Sequence, residues 1–98
     1  MRVLWTKKAI AGWQEVADYI LADFGDRAMQ TFLERTEEAE ETISLLPNIG
    51  SVEWNDTQEG VVYRYVTINR RSKMLYYVDG DVIFIADFWD VRKNRRLS

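Results

Sequence analysis

The sequence of 98 residues contains no cysteine, no histidine and only one proline. Without cysteine the chain has no disulfide bond, no thiolate nucleophile and no cysteine-based metal site, a composition that fits a reducing compartment. Without histidine it has neither an imidazole metal ligand nor the side chain that most often serves as a general base. Any catalysis must therefore depend on carboxylates, lysine, arginine, tyrosine or hydroxyl groups.

Long apolar runs are also absent from the sequence. Residues Met1–Trp5 lead directly into the polar residues Thr6–Lys8, which leaves no segment long enough for a signal peptide or a membrane-spanning helix. We therefore expect a cytoplasmic protein that does not associate with membranes. The length favours a single domain over residues 1–98, because it is sufficient for one modest core and too short for two.

Charge is unevenly distributed along the chain, although the net charge is only −3. Residues 1–60 contain five Lys or Arg and twelve Asp or Glu, a net charge of −7, whereas residues 61–98 contain eight and four, a net charge of +4. The basic segment is also rich in aromatic residues. Such a segment fits contact with a phosphate backbone or with an acidic partner.

Two amphipathic helices are predicted in the first half of the chain. Apolar residues recur at three- and four-residue spacing from Thr6, a favourable N-cap, to Gly25, a favourable C-cap, and again from Asp26 to Pro47. The short connection predicts a tight helical hairpin. Glutamates on the second helix are interpreted as a solvent-exposed face, because carboxylate metal ligands normally need partners on other elements. These glutamates are Glu34, Glu37, Glu38, Glu40 and Glu41. We expect neither a metal nor a cofactor.

The second half of the chain predicts strands, because it is rich in β-branched and aromatic residues. The predicted strands are Arg2–Trp5 near the N-terminus and then 61–69, 73–78 and 82–88, with a short extended segment at Ser51–Trp54. Turns are predicted at Arg70–Ser72 and at Asp79–Gly80. The resulting order is β-α-α-β-β-β. It describes an α+β fold in which the helical hairpin packs on one face of a mainly antiparallel sheet.

Alternation along the strands predicts which side chains share a face. One face of the strand that begins at Val61 carries Val62, Arg64, Val66 and Ile68. On the last strand, strict alternation places Ile83, Ile85 and Asp87 opposite Val82, Phe84, Ala86 and Phe88. Both faces of that strand are largely apolar, which predicts a groove or a partner on the face that the helices do not cover. Four tyrosines are interpreted either as the rim of a small core or as part of a binding surface. They are Tyr63, Tyr65, Tyr76 and Tyr77.

Taken together, these residues resemble the ParE/RelE superfamily of toxins from type II toxin–antitoxin modules, also known as plasmid stabilisation proteins. The hairpin is similar at Trp5, Ala9, Val16, Tyr19–Ile20, Gly25, Ala28, Phe32, Leu46–Pro47 and Gly50, and the sheet at 63–65, 76–79 and 83–85. The ending Phe88–Asn94 is similar to the strand-plus-arginine close of the superfamily. The resemblance spans nearly the whole chain. It implies a bacterial growth inhibitor that a cognate antitoxin neutralises.

The resemblance implies two alternative mechanisms. ParE-like members bind and poison DNA gyrase, whereas RelE-like members are endoribonucleases that cut messenger RNA on the ribosome. RNA cleavage by a 2′-hydroxyl needs a base, cations near the phosphorane and an acid for the leaving oxygen. Arg64, Lys73 and Arg92 match the basic positions of the RelE-like sheet and would be the catalytic cations. Tyr76 and Asp90 are weaker candidates for the acid or base, and an ion pair of Asp90 with a nearby arginine is an equally simple interpretation.

Two departures from the RelE-like pattern favour the ParE-like mechanism. RelE-like nucleases generally have a C-terminal tyrosine or a His-Tyr pair, and this chain has neither. The chain is also acidic, unlike members that are drawn to ribosomal RNA. For a gyrase inhibitor, the expected target-binding residues are Arg92, Lys93, Arg95 and Arg96. A third alternative is a non-toxic relative that only binds an antitoxin.

Overall fold

A five-stranded sheet and a helical hairpin make up the computed structural model, which describes residues 1–93 with side chains through Arg92. The elements are β1 (Arg2–Trp5), α1 (Lys7–Phe24), α2 (Asp26–Leu45), β2 (Ser51–Asp56), β3 (Val61–Asn69), β4 (Ser72–Asp79) and β5 (Val82–Asp90), followed by a 3₁₀ turn at Val91–Lys93. The predicted α+β fold is confirmed, and the extended segment predicted at Ser51 is a full strand. In the part of the chain that is described, no helix is long and apolar enough to cross a membrane.

The sheet has the strand order β1-β5-β4-β3-β2. β1 lies parallel to β5, with Arg2 opposite Val82 and Trp5 opposite Ile85. All other neighbouring strands are antiparallel, so the sheet is mainly antiparallel, as predicted. The first and last strands of the fold are thus neighbours.

Both predicted helix boundaries of α1 are confirmed by local hydrogen bonds. The Thr6 Oγ1 atom accepts a hydrogen bond from the Ala9 N–H at 3.1 Å, which satisfies a backbone donor of the first turn. At the other end, Gly25 has a φ of +89° and its N–H donates to the Leu21 carbonyl at 3.1 Å. A side chain at this φ would be strained, so glycine permits the abrupt reversal into α2.

The hydrophobic core lies between the hairpin and the sheet. The helices contribute Ala9, Val16, Ala17, Ile20, Phe32 and Ile43, and the sheet contributes Ile68, Met74, Tyr76, Ile83, Ile85 and Phe88. Phe88 joins the two layers, because its ring lies 6.2 Å from the ring of Trp5 and 5.7 Å from that of Phe32, measured between centroids. The helices cover one face of the sheet, and we call the other the open face.

A bulge in β5 overturns the predicted alternation of that strand. Leu75 lies opposite Asp87 whereas Tyr76 lies opposite Ile85, so Ala86 is an additional residue in β5. Phe88 consequently points to the helices together with Ile85, and Asp87 points to the other side of β5, where it is buried with its carboxylate 3.3 Å from the Lys8 ammonium of α1. The prediction that grouped Asp87 with Ile85 was wrong because one inserted residue exchanges the faces of every residue after it.

Candidate functional site

Arg64 and Tyr76 lie opposite each other on β3 and β4 and together hold the loop that follows α2. The Arg64 guanidinium donates to the carbonyl oxygens of Gly50 at 2.9 Å and Asn48 at 3.3 Å. The Tyr76 hydroxyl donates to the Pro47 carbonyl at 2.8 Å and accepts from the Gly50 N–H at 2.9 Å. Tyr76 is fully buried. Its interpretation as a rim residue was wrong, because it points into the helix-covered core.

The environment of Tyr76 keeps its hydroxyl protonated. Burial raises the pKa of Tyr76, and this effect exceeds the lowering caused by the Gly50 N–H and Arg64. A protonated hydroxyl is what the hydrogen bond to Pro47 requires. The hydroxyl therefore uses both its proton and a lone pair in hydrogen bonds within the fold. A catalytic role for Tyr76 stays a prediction.

Replacing Tyr76 with phenylalanine is expected to lower the free energy of unfolding by about 1–3 kcal/mol, because the Gly50 N–H would remain buried without its acceptor. Urea unfolding followed by tryptophan fluorescence measures the change. Tyr77→Phe is the matched control on the open face, and its expected change is within about 0.5 kcal/mol. Equal losses for the two variants would contradict this role of the Tyr76 hydroxyl.

Lys73 lies on the open face, opposite to the face that carries Arg64. Its neighbour Met74 is a core residue, and successive side chains of a strand point to opposite faces. The Lys73 ammonium lies 3.9 Å from the ring centroid of Tyr65 and 3.7 Å from the Glu53 carboxylate. The structure therefore separates Lys73 from Arg64 by the thickness of the sheet.

Arg92 follows β5 and forms an ion pair with Asp90, one of the two sequence-based interpretations of this carboxylate. The Arg92 Nη2 atom lies 2.7 Å from Asp90 Oδ2, and its Nε and backbone N–H donate to Oδ1 at 3.1 and 2.9 Å. The hydrogen bonds from Arg92 hold the pKa of Asp90 below its usual value, despite burial. The Arg92 guanidinium also lies 5.4 Å from the ring centroid of Tyr19, so this pair contacts α1.

The other predicted target-binding residues are placed only in part. Lys93 ends the 3₁₀ turn, and its side chain is not among those described. Arg95 and Arg96 lie outside the described residues. Within the described part of the chain, Arg92 is thus the one predicted target-binding residue whose side chain has a described position.

A groove of about 480 Å³ opens between the hairpin and the β3–β4 turn, next to Asp90. Apolar side chains of α1 and α2 form its floor, and Arg35, Arg70 and Arg71 line it with positive charge. We call it the arginine groove. Its lining is Val16, Tyr19, Ile20, Phe24, Ala28, Thr31, Phe32, Arg35, Asn69, Arg70, Arg71, Ser72 and Asp90.

The arginine groove was missed by sequence reasoning, which only placed Arg70 and Arg71 in a predicted turn. Its floor had a recognisable signal in the large apolar residues near the end of α1. Tyr19 and Phe24, which line the groove, remain 37% and 60% exposed, more apolar surface than a helix with one buried stripe should leave uncovered. What the sequence did not show is that the β3–β4 turn brings its arginines to this end of the hairpin.

A family model described as ParE toxin of type II toxin-antitoxin system, parDE, matches residues 3–95. The chain belongs to the ParE toxin family. This confirms the resemblance found in the sequence and makes the protein the toxin component of a type II toxin–antitoxin system, with an antitoxin as its partner.

The fold of this ParE-family toxin also occurs among solved structures. A chain described as "Chromosomal ParDE TA system from P. aeruginosa" is similar over 92% of this chain and 95% of its own length, with a TM-score of 0.63 and 19% sequence identity. At this identity the likeness shows a common fold. The comparison with curated proteins finds no match.

Proposed function

We propose that this ParE-family toxin arrests growth by binding DNA gyrase in the cytoplasm and that it does not cut RNA. The placement of the cations that a nuclease would need supports this proposal. Arg64 and Lys73 lie on opposite faces of the sheet, and each has a partner within the fold. An RNA-cutting site would have to gather such cations around one phosphate, whereas a binding inhibitor needs only a complementary surface.

The position of Arg92 supports the same conclusion. β4 runs from Ser72, which lies opposite Asp90, to Tyr76, which lies opposite Arg64. This distance along the sheet is roughly 13 Å, at about 3.3 Å per residue. Arg92 next to Asp90 therefore belongs to the end of the sheet that borders the arginine groove, and Arg64 belongs to the other end.

The arginine groove is the surface that we propose for binding. An apolar floor edged by guanidinium groups is complementary to an amphipathic segment with apolar and acidic side chains, and arginine is enriched in protein interfaces. We propose that the gyrase target occupies this groove and that the antitoxin neutralises the toxin by covering it.

Expression of the full chain alone in bacteria, from a tightly repressed promoter, tests the proposal. We expect growth arrest, accumulation of gyrase–DNA cleavage complexes, intact transcripts, and rescue by co-expression of the neighbouring open reading frame. Translation arrest with cut transcripts would instead establish the RelE-like endoribonuclease mechanism. Normal growth with soluble protein at the expected level would establish the non-toxic alternative.

Lys73→Ala is the sharpest variant for this assay. Lys73 belongs to the predicted nuclease trio, but it contacts neither the arginine groove nor the loop at Gly50, so its removal leaves both in place. We expect undiminished growth arrest from this variant. A loss of toxicity with soluble protein present would contradict the proposed binding mechanism.

A further inference from the structure

Four aromatic rings form a continuous row across the open face of the sheet. Trp54 of β2 stacks on Tyr63 of β3, with ring centroids 4.8 Å apart and an interplanar angle of 9°. Tyr63 meets Tyr77 of β4 edge to face at 5.3 Å, and Tyr77 stacks on Phe84 of β5, also at 5.3 Å. Leu4 of β1 lies opposite Phe84 and extends the apolar surface to the edge of the sheet. We call the four rings the ring row.

The ring row is accessible to solvent. Trp54 is 41% exposed and Leu4 is 39% exposed, and Tyr63, Tyr77 and Phe84 are half-buried. The helices pack on the opposite face, so they do not cover these rings. A contiguous apolar surface of this kind is uncommon on a protein that has no partner for it.

Carboxylates lie along one side of the ring row, at the edge of the sheet where β2 and β4 end. Asp56 ends β2 two residues after Trp54, and Asp79 ends β4 two residues after Tyr77, so each belongs to the same face as the ring that precedes it. Glu59 and Asp81 follow in the adjacent turns and are exposed.

Two of these carboxylates, Asp56 and Glu59, act electrostatically on the Tyr63 ring. Burial makes the largest contribution to the raised pKa of Tyr63, and Tyr77, Asp56 and Glu59 raise it further. On the described part of the open face, Lys73 is paired with Glu53, which leaves Arg2 at the β1 edge as the cation near these carboxylates. Negative charge therefore predominates beside the exposed rings.

We propose that the ring row binds a cationic segment of a partner protein, with an arginine or lysine side chain placed over the outer indole face of Trp54, which the stack with Tyr63 leaves free at the β2 edge of the sheet. The negative face of an aromatic ring attracts such cations, and the neighbouring carboxylates add a second attraction of the same sign. A nucleic acid is disfavoured, because the same carboxylates would repel its phosphates. This surface differs from the arginine groove in both location and charge, so the proposal stands independently of gyrase binding.

A short arginine peptide tests the chemistry directly. The isotope-labelled full chain is titrated with the peptide Arg-Gly-Arg-Gly-Arg, and the backbone and indole N–H signals are followed by NMR. The matched probe contains citrulline, which keeps the shape of arginine without its charge. We expect shifts at Trp54, Tyr63, Tyr77 and Phe84, weakening of the binding by salt, and affinity for the citrulline peptide at least about tenfold lower.

Charge-neutralising variants test whether peptide binding depends on the carboxylates beside the ring row or on the overall negative charge of the protein. Asp79→Asn combined with Asp81→Asn is expected to weaken peptide binding about tenfold. Because asparagine is favoured in the turn around Gly80, this double variant should keep the fold intact. The control combines Asp18→Asn with Asp23→Asn on the exposed surface of α1 and is expected to change nothing.

Four outcomes of the peptide titrations would overturn the proposal. They are equal binding of the citrulline peptide, equal losses in the two double variants, shifts located in the arginine groove, and no binding at millimolar peptide. Concentration-dependent shifts of the ring row without any peptide would also overturn it, because a second copy of the chain would then be the occupant.

Discussion

Replacing Phe88 with alanine is expected to lower the free energy of unfolding by about 3–5 kcal/mol. Phe88 is fully buried and contacts Trp5 of β1 and Phe32 of α2, so its ring connects the sheet to the hairpin. A domain of this size has a total stability of about 5–15 kcal/mol, so this single substitution would remove a large part of it. Urea unfolding followed by tryptophan fluorescence measures the loss.

Phe24→Ala is the matched control for Phe88. The Phe24 ring is 60% exposed at the end of α1, and its removal is expected to cost about 0.5 kcal/mol or less. Phe88→Leu should fall between the two, because it keeps part of the buried volume. A loss below about 1 kcal/mol for Phe88→Ala, with two-state unfolding retained, would show that the core does not depend on this ring.

Reversing the charge of Arg70 and Arg71 together is expected to abolish growth arrest. Both arginines line the groove proposed for the target, and both are exposed, so glutamate at these positions should repel an acidic segment with little effect on folding. We expect binding to the target to weaken by about 100-fold or more, which corresponds to about 2.7 kcal/mol. Colony counts under induction and binding to purified gyrase are the two measurements.

The control for this variant reverses the charge of Lys7 and Arg27 by replacing both with glutamate. Both residues are exposed and lie outside the arginine groove, and their replacement changes the net charge by the same amount. Growth arrest should be retained in the control. Full toxicity of Arg70→Glu/Arg71→Glu, at an equal level of soluble protein, would reject the arginine groove as the target surface. Antitoxin binding by the same variant shows separately whether toxin and antitoxin share the groove.

Much of the fold followed from patterns local to the chain. Thr6 and Gly25 marked the ends of α1 because capping and positive φ depend on residues within one helical turn. The turn at Gly80 was predicted for the same reason. The face shared by Arg64 and Val66 was also correct, because β3 keeps regular alternation through these residues. Family membership followed as well, since many weak matches retained their order and spacing.

The candidate sites were much less predictable. Tyr63, Tyr76 and Tyr77 look alike in the sequence, yet Tyr76 points into the core and secures Pro47, while Tyr63 and Tyr77 form part of the ring row. Distinguishing them requires knowing which face the helices cover. That choice depends on packing between segments that are distant along the chain.

Periodicity, capping and turn residues were thus sufficient for the helical hairpin and for the order of the helices and strands along the chain, because these properties depend on near neighbours. Interactions between distant residues settled the rest. Pairing of β1 beside β5, the bulge at Ala86 and the separation of Arg64 from Lys73 all depend on strand register and on the layer that covers each face. Register is set by partners far away in the sequence, so the arginine groove and the ring row exist only in the folded chain.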